Sequence, residues 1–210
     1  MLSPSTTRLD FANEVKPEVA FNILNYPYFY NGGGVAVGDL NGDELPDLYF
    51  TANQGPNRLF LNRGDFTFED VTAAAGVAGQ GDWSTGVSLV DINADGRLDI
   101  YVSNVSGLLG QTGSNELFIN LGAAKFKEVA EEWGLAQSGY ATQSSFFDYD
   151  GDGDLDCFQL NHSIRPSETV GLASERNTPD ALAGNRMLRN EGSSFVDVSS
   201  EAGIYRSRLG

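Results

Sequence analysis

Cysteine and histidine are nearly absent from this chain, with one of each, Cys157 and His162, among 210 residues. A lone cysteine excludes an internal disulfide, and Cys157 is expected to pack as a small apolar residue. A lone histidine leaves little room for nucleophilic catalysis, which needs a base beside a Ser or Cys with an acid behind it. No Gly-x-Ser-x-Gly, His-Glu-x-x-His or phosphate loop is present, so His162 reads as a polar loop residue. Long apolar runs are missing too, and none could span a membrane. Met1-Leu-Ser-Pro-Ser-Thr-Thr-Arg8 does not read as a signal peptide. Basic residues are few, 13 against 29 acids, and form no patch, which argues against a nucleic-acid partner. Helical periodicity is almost absent; the one helical turn expected is Ala130-Glu-Glu-Trp133, just before Gly134.

What the chain has is glycine (25 residues), 40% apolar content and a nine-residue acidic loop that occurs three times. The copies are Asp39-Leu-Asn41-Gly-Asp43-Glu-Leu45-Pro-Asp47, Asp91-Ile-Asn93-Ala-Asp95-Gly-Arg97-Leu-Asp99 and Asp148-Tyr-Asp150-Gly-Asp152-Gly-Asp154-Leu-Asp156. Each puts oxygen side chains at positions 1, 3, 5 and 9. Alternate residues of a tightly wound loop can converge on one hard cation, and Ca2+ takes six to eight oxygens. The backbone carbonyl of position 7 (Leu45, Arg97, Asp154) is the expected further ligand. Up to three Ca2+ ions are therefore expected. The net charge of −16 follows: these loops hold 12 of the 29 acids, leaving 17 against 13 bases elsewhere.

The loops are not EF-hands. Position 12 is Phe50, Val102 or Gln159 where an EF-hand needs Glu, and the flanks are short β-branched or aromatic runs without a helical period. Each loop thus reads as the turn of a β-hairpin. A second hairpin follows, built around Asn62-Arg-Gly64, Asn120-Leu-Gly122 or Asn190-Glu-Gly192. Each repeat therefore holds four short strands, and the loops recur after 52 and 57 residues. That period predicts an all-β chain of β-propeller blades. About three blades are expected, near 30–77, 83–135 and 140–204, forming an incomplete propeller in a single domain over 1–210. Residues 1–29, through Leu9-Asp-Phe11, would supply an outer strand of a preceding blade. The cluster Tyr26-Pro-Tyr28-Phe29-Tyr30 reads as strand and core.

Gly-Val-Ala-Val-Gly-Asp39-Leu-Asn-Gly-Asp and Asp148-Tyr-Asp-Gly-Asp-Gly-Asp-Leu-Asp156 resemble the FG-GAP/VCBS-type repeats of integrin-α-like propellers. The literal Phe-Gly…Gly-Ala-Pro is missing, so the resemblance is to the bacterial, ASPIC-associated branch. It implies a propeller fold with calcium at the positions given above, and no single activity. Extracellular calcium modules bind with Kd of about 10⁻⁴–10⁻³ M, so these sites would be mostly empty in a cytosol. A surface, secreted or periplasmic location is expected on that ground.

Glu44 departs from the pattern, standing at position 6 where the other loops have Gly96 and Gly153; weaker binding or an adjusted turn is expected in the first loop. Tyr30, Trp83 and Tyr140 recur eight or nine residues before each loop. They read either as packing between blades or as an aromatic face that stacks on sugar. The 161–184 segment, with Arg165, Glu168, Glu175, Arg176 and Asp180, is the longest insertion between strands. Three functions stand open: a non-catalytic module binding glycan or protein, a calcium-dependent polysaccharide lyase, or a spacer in a longer chain. For a lyase, Arg165, His162 or Tyr140 are the conceivable proton acceptors, and no spacing selects one. Open blade edges favour self-association.

Overall fold

The computed structural model describes residues 3–164 and 178–204. It contains three four-stranded antiparallel sheets, each a simple meander in chain order. The first holds β1 (Val35–Gly38), β2 (Asp47–Phe50), β3 (Arg58–Asn62) and β4 (Phe68–Asp70). The second holds β5 (Ser84–Val90), β6 (Asp99–Asn104), β7 (Glu116–Asn120) and β8 (Phe126–Glu128). The third holds β9 (Ala141–Phe147), β10 (Asp156–Asn161), β11 (Arg186–Asn190) and β12 (Phe195–Asp197). These are the propeller-type blades expected. The acidic loops join the first two strands of each blade, and the Asn-x-Gly turns join the last two. Gly64, Gly122 and Gly192 all sit at φ between 81° and 92°, the left-handed backbone that such turns require.

The inner strands lie side by side. Gly34 N–H donates to the Thr85 carbonyl at 2.7 Å, and the Thr85 hydroxyl donates to the Ala141 carbonyl at 2.7 Å. A Cβ at Gly86 would overlap the Thr142 carbonyl and the Gln143 side chain, so only glycine lets β5 approach β9 this closely. Two apolar cores fill the spaces between blades. One joins Tyr49, Leu59 and Val77 to Ile100, Val102 and Phe118; the other joins Tyr101, Leu117 and Leu135 to Cys157, Leu188 and Phe195. Cys157 is thus a core residue, as its isolation implied.

The N-terminal segment differs from expectation. Short helix α1 (Pro4–Thr7) is followed by turns, with no strand among the described residues before Val35. Leu9-Asp-Phe11 forms no outer strand. Instead the Phe11 ring stacks on Phe50 at 4.9 Å, and Asn13 exchanges hydrogen bonds with Asn53, so the segment lies along the free side of the first blade. Tyr26 and Phe29 are core residues but sit in hydrogen-bonded turns. Asn22 and Asn25 hold those turns by bonds from their amides to the Glu18 and Ala20 carbonyls. The Ala130–Trp133 stretch is a hydrogen-bonded turn; in the first blade the same place holds a one-turn helix, α2 (Thr72–Ala75).

Candidate metal centre

The three acidic loops fold alike because each carboxylate captures backbone N–H groups of its own loop. Position 1 organises the turn. Asp39 accepts from Gly42 at 2.7 Å and Glu44 at 2.8 Å; Asp91 accepts from Asp95 at 2.9 Å and Gly96 at 2.8 Å; Asp148 accepts from Gly151 at 2.7 Å and Gly153 at 3.2 Å. Positions 3 and 5 each accept from the N–H two residues on, as Asn41 does from Asp43 (2.9 Å) and Asp152 from Asp154 (3.1 Å). All these side chains therefore face the inside of one turn. The turn also needs left-handed backbone at positions 4 and 6. Gly42, Gly151, Gly96 and Gly153 supply it freely, whereas Ala94 (φ 56°) and Glu44 (φ 65°) adopt it against their Cβ. Glu44 thus keeps the common turn shape.

Position 9 has a second role that the sequence does not show. Asp47, Asp99 and Asp156 are all 0% exposed. One oxygen of each accepts the position-2 N–H: Leu40 at 2.8 Å, Ile92 at 3.1 Å, Tyr149 at 2.7 Å. The other accepts the N–H of the turn asparagine at the end of the third strand: Asn62 at 2.8 Å, Asn120 at 2.7 Å, Asn190 at 2.8 Å. That asparagine answers by donating to the position-8 carbonyl, Pro46, Leu98 or Leu155. The acidic loop and the Asn-x-Gly turn are one clasped unit in every blade. Asn120 also donates to the Leu40 carbonyl at 3.0 Å, tying the second blade to the first loop.

The electrostatics separate the positions. Burial would raise the Asp39 carboxyl, but backbone N–H groups of Glu44, Gly42, Asn41 and Asp43 outweigh it and hold it below the usual carboxylate range. Burial pushes Asp99 up to about 6 against the bonds from Asn120 and Ile92, with Asp95 and Asp91 adding repulsion. Asp47 is raised in the same way. Asp154 is raised by burial and by crowding from Asp152, Asp156 and Asp150.

The third loop fits a hard cation best. Carboxylate oxygens of Asp148, Asp150 and Asp156 lie within 4.8 Å of one another, and the Asp154 Oδ1 is buried without a hydrogen-bond partner. The three converging carboxylates repel one another, and a cation among them would relieve that repulsion. The first two loops replace one of these carboxylates by Asn41 or Asn93, whose amides donate to Asp43 and Asp95. In the second loop the Arg97 guanidinium also pairs with Asp95. Its side chain therefore competes for a carboxylate where the sequence suggested only a backbone ligand.

The aromatic triplet does not form an exposed face. Trp83 is 1% exposed and Tyr140 7%, while Tyr30 is 60% exposed. Phe21, Tyr26 and Phe29 of the N-terminal segment pack against Trp83, which takes it out of solvent. His162 lies in the loop after β10 as expected, but it is packed among aromatic rings. Its ring lies 4.4 Å from Tyr28, 5.5 Å from Tyr26 and 5.7 Å from Tyr140, and both ring nitrogens are buried without partners. Burial pulls its pKa down to about 4. Arg165, Glu168, Glu175 and Arg176 lie outside the described residues; Asp180 caps a turn by accepting from Leu182 at 2.9 Å.

Human cartilage acidic protein 1 is 34% identical over 147 residues, 68% of this chain and 21% of its own length. The Xenopus tropicalis protein of the same name is 33% identical over 140 residues, 65% of this chain and 21% of its own length. The chain therefore spans about a fifth of these relatives. A solved structure of an Agrocybe aegerita lectin, described as recognising non-reducing terminal N-acetylglucosamine, overlaps 77% of this chain and 36% of its own at TM-score 0.39 and 18% identity. Residues 39–102 and 105–158, more than half of the chain, match the model of the FG-GAP-like repeat, and the chain belongs to that family.

Proposed function

We propose that this chain is a calcium-stabilised, non-catalytic propeller module of a surface or secreted protein, whose blades hold a binding face for a glycan or protein. The observation that carries the metal reading is the crowded third loop, with its three converging carboxylates. Asp148, Asp150, Asp152, Asp156 and the Asp154 carbonyl would hold the ion there. Asp39, Asn41, Asp43, Asp47 and the Leu45 carbonyl would do so in the first loop; Asp91, Asn93, Asp95, Asp99 and the Arg97 carbonyl in the second. The ion's contribution is charge: it relieves carboxylate repulsion and fixes the turn. A copied site of this kind belongs to the blade, whereas a catalytic pair is needed once, in one cleft.

At about 1 mM free Ca2+ and Kd of about 10⁻⁴–10⁻³ M, linkage gives roughly 0.4–1.4 kcal/mol per site. Three sites together contribute about 1–4 kcal/mol, and the effect vanishes at cytosolic calcium levels, which supports an extracellular setting. Thermal melting with calcium and with EDTA tests this: the calcium-loaded protein melts several degrees higher, and identical curves would refute it. Self-association belongs to the same reading. Phe147, Leu160 and Val196 are 44–47% exposed on the side of the third blade that faces away from the second.

A further inference from the structure

The acidic loops lie at the ends of β1, β5 and β9. At the starts of the same strands, on the opposite end of the blades, a cleft of about 310 Å³ opens. Tyr26 and Tyr28 of the N-terminal segment and Trp83 supply its aromatic walls, and Asn31, Thr85 and Gln143 its polar side chains. The Gly32–Gly34 backbone completes it. Gly32 is left-handed (φ 84°), and a Cβ at Gly34 would lie 2.9 Å from the Thr85 carbonyl oxygen, so only glycine gives this surface.

Two features of the cleft point to its ligand. The first is charge. The chain carries 29 acids and 13 bases, yet among the described residues no Asp, Glu, Lys, Arg or His lines the cleft. A charged ligand would find no counter-charge on these residues, which favours a neutral one. The second is unmet hydrogen-bonding capacity. Tyr26 and Trp83 are each 1% exposed. Among the described residues neither the Tyr26 hydroxyl nor the Trp83 indole N–H has a hydrogen-bond partner. Buried phenol and indole groups ordinarily find partners. Both rings line the same small cleft.

The rings are held in place. Trp83 stands edge-on to Phe21 (4.7 Å) and Tyr26 (5.8 Å), and Tyr28 packs on His162 at 4.4 Å. A preorganised site of this kind spends little ordering entropy on binding. Its volume is at the small end of ligand pockets, roughly 300–1,000 Å³. That admits one ring-sized group and excludes an extended peptide.

We propose that this cleft binds a single uncharged sugar residue, with Tyr26 and Trp83 donating to its oxygens and Tyr28 presenting its ring to the C–H face. The proposal deepens the glycan-binding reading above and rests on it.

The test is a tryptophan-fluorescence titration of the full, calcium-loaded chain carrying Trp133→Phe, so that Trp83 alone reports. Probes are glucose, galactose, mannose and N-acetylglucosamine, with glucuronate as the charged control. At least one neutral sugar is expected to give a saturable change at millimolar concentrations, and glucuronate none. Tyr26→Phe removes one hydroxyl and weakens binding about tenfold, the scale of one hydrogen bond, with melting temperature unchanged. Asn31→Ala, at the exposed rim, is the second variant and weakens binding without touching the core. Absence of any saturable change with a neutral sugar overturns the assignment, as does equal binding of glucuronate or indifference to both variants. Calcium-dependent melting measured on the same sample separates the outcomes: its loss refutes the calcium module, while its presence without sugar binding refutes only the cleft.

Discussion

Replacing Asp156 by Asn separates the structural role of the acidic loops from their proposed metal role. Asp156 is 0% exposed, and its two oxygens accept the Tyr149 N–H at 2.7 Å and the Asn190 N–H at 2.8 Å. An amide has one acceptor oxygen, so its NH₂ must face one of these two donors. The variant loses one charge-assisted bond in a buried site, about 1.5–3 kcal/mol. At roughly 2–4 °C per kcal/mol for a chain of this size, melting falls by about 3–12 °C. The loss is expected in EDTA, with no metal involved. Asp150→Asn is the control. Asp150 is exposed and, among the described residues, accepts only from the Asp152 N–H at 3.3 Å, a bond that Asn41 and Asn93 make at the same position. Its melting in EDTA should stay within about 0.5 kcal/mol of wild type, and its penalty appear only when calcium is added. Differential scanning calorimetry in EDTA and in calcium reads both. Wild-type melting of Asp156→Asn in EDTA would refute the clasp.

Glu44→Gly releases a left-handed residue and is expected to stabilise by about 0.5–1 kcal/mol in urea unfolding and to tighten calcium in the first loop; a loss of stability would contradict the strain. His162 has a depressed pKa of about 4 against 6.5. Between those values the unfolded chain takes up a proton that the folded chain refuses. Stability therefore falls as pH falls from about 6.5 to about 4, by up to about 3 kcal/mol. His162→Phe should flatten that part of the curve; equal pH slopes in both proteins would exclude His162. Asp99, raised to about 6, acts in the opposite direction, so the difference between the two proteins is what isolates the histidine. Gly86→Ala forces β5 away from β9 and should cost about 1–3 kcal/mol, measured by urea unfolding. Sedimentation should show concentration-dependent association, reduced by Leu160→Glu on the outward side of the third blade.

The parts of the fold that repeat were legible in the sequence. Three loops in the same phase, each followed by Asn-x-Gly, define their strands by comparison with one another. The N-terminal segment has no copy to compare with. Its aromatics suggested strand and core, but Pro17, Pro27 and the Asn22 and Asn25 side-chain bonds hold it in turns, so only the core half of that expectation stands. The clasp was hidden for another reason. Asp47 reaches Asn62, Asp99 reaches Asn120 and Asp156 reaches Asn190, across loops of different length, so no fixed spacing marks the pairing. Trp83 and Tyr140 recur in phase, yet recurrence cannot tell a packed ring from an exposed one. The residues that bury Trp83 come from more than fifty positions earlier in the chain. The cleft depends on the same long-range contact, and no local signal announced it.

The central claim is that the three loops bind calcium, and equilibrium dialysis with metal analysis tests it most directly. At about 1 mM free Ca2+ and neutral pH, sites of the affinity expected for extracellular modules are half-filled or better, and saturation should approach three ions per chain. Asp148→Ala should remove one, since that carboxylate organises the third loop. No bound calcium at millimolar concentration would contradict the account.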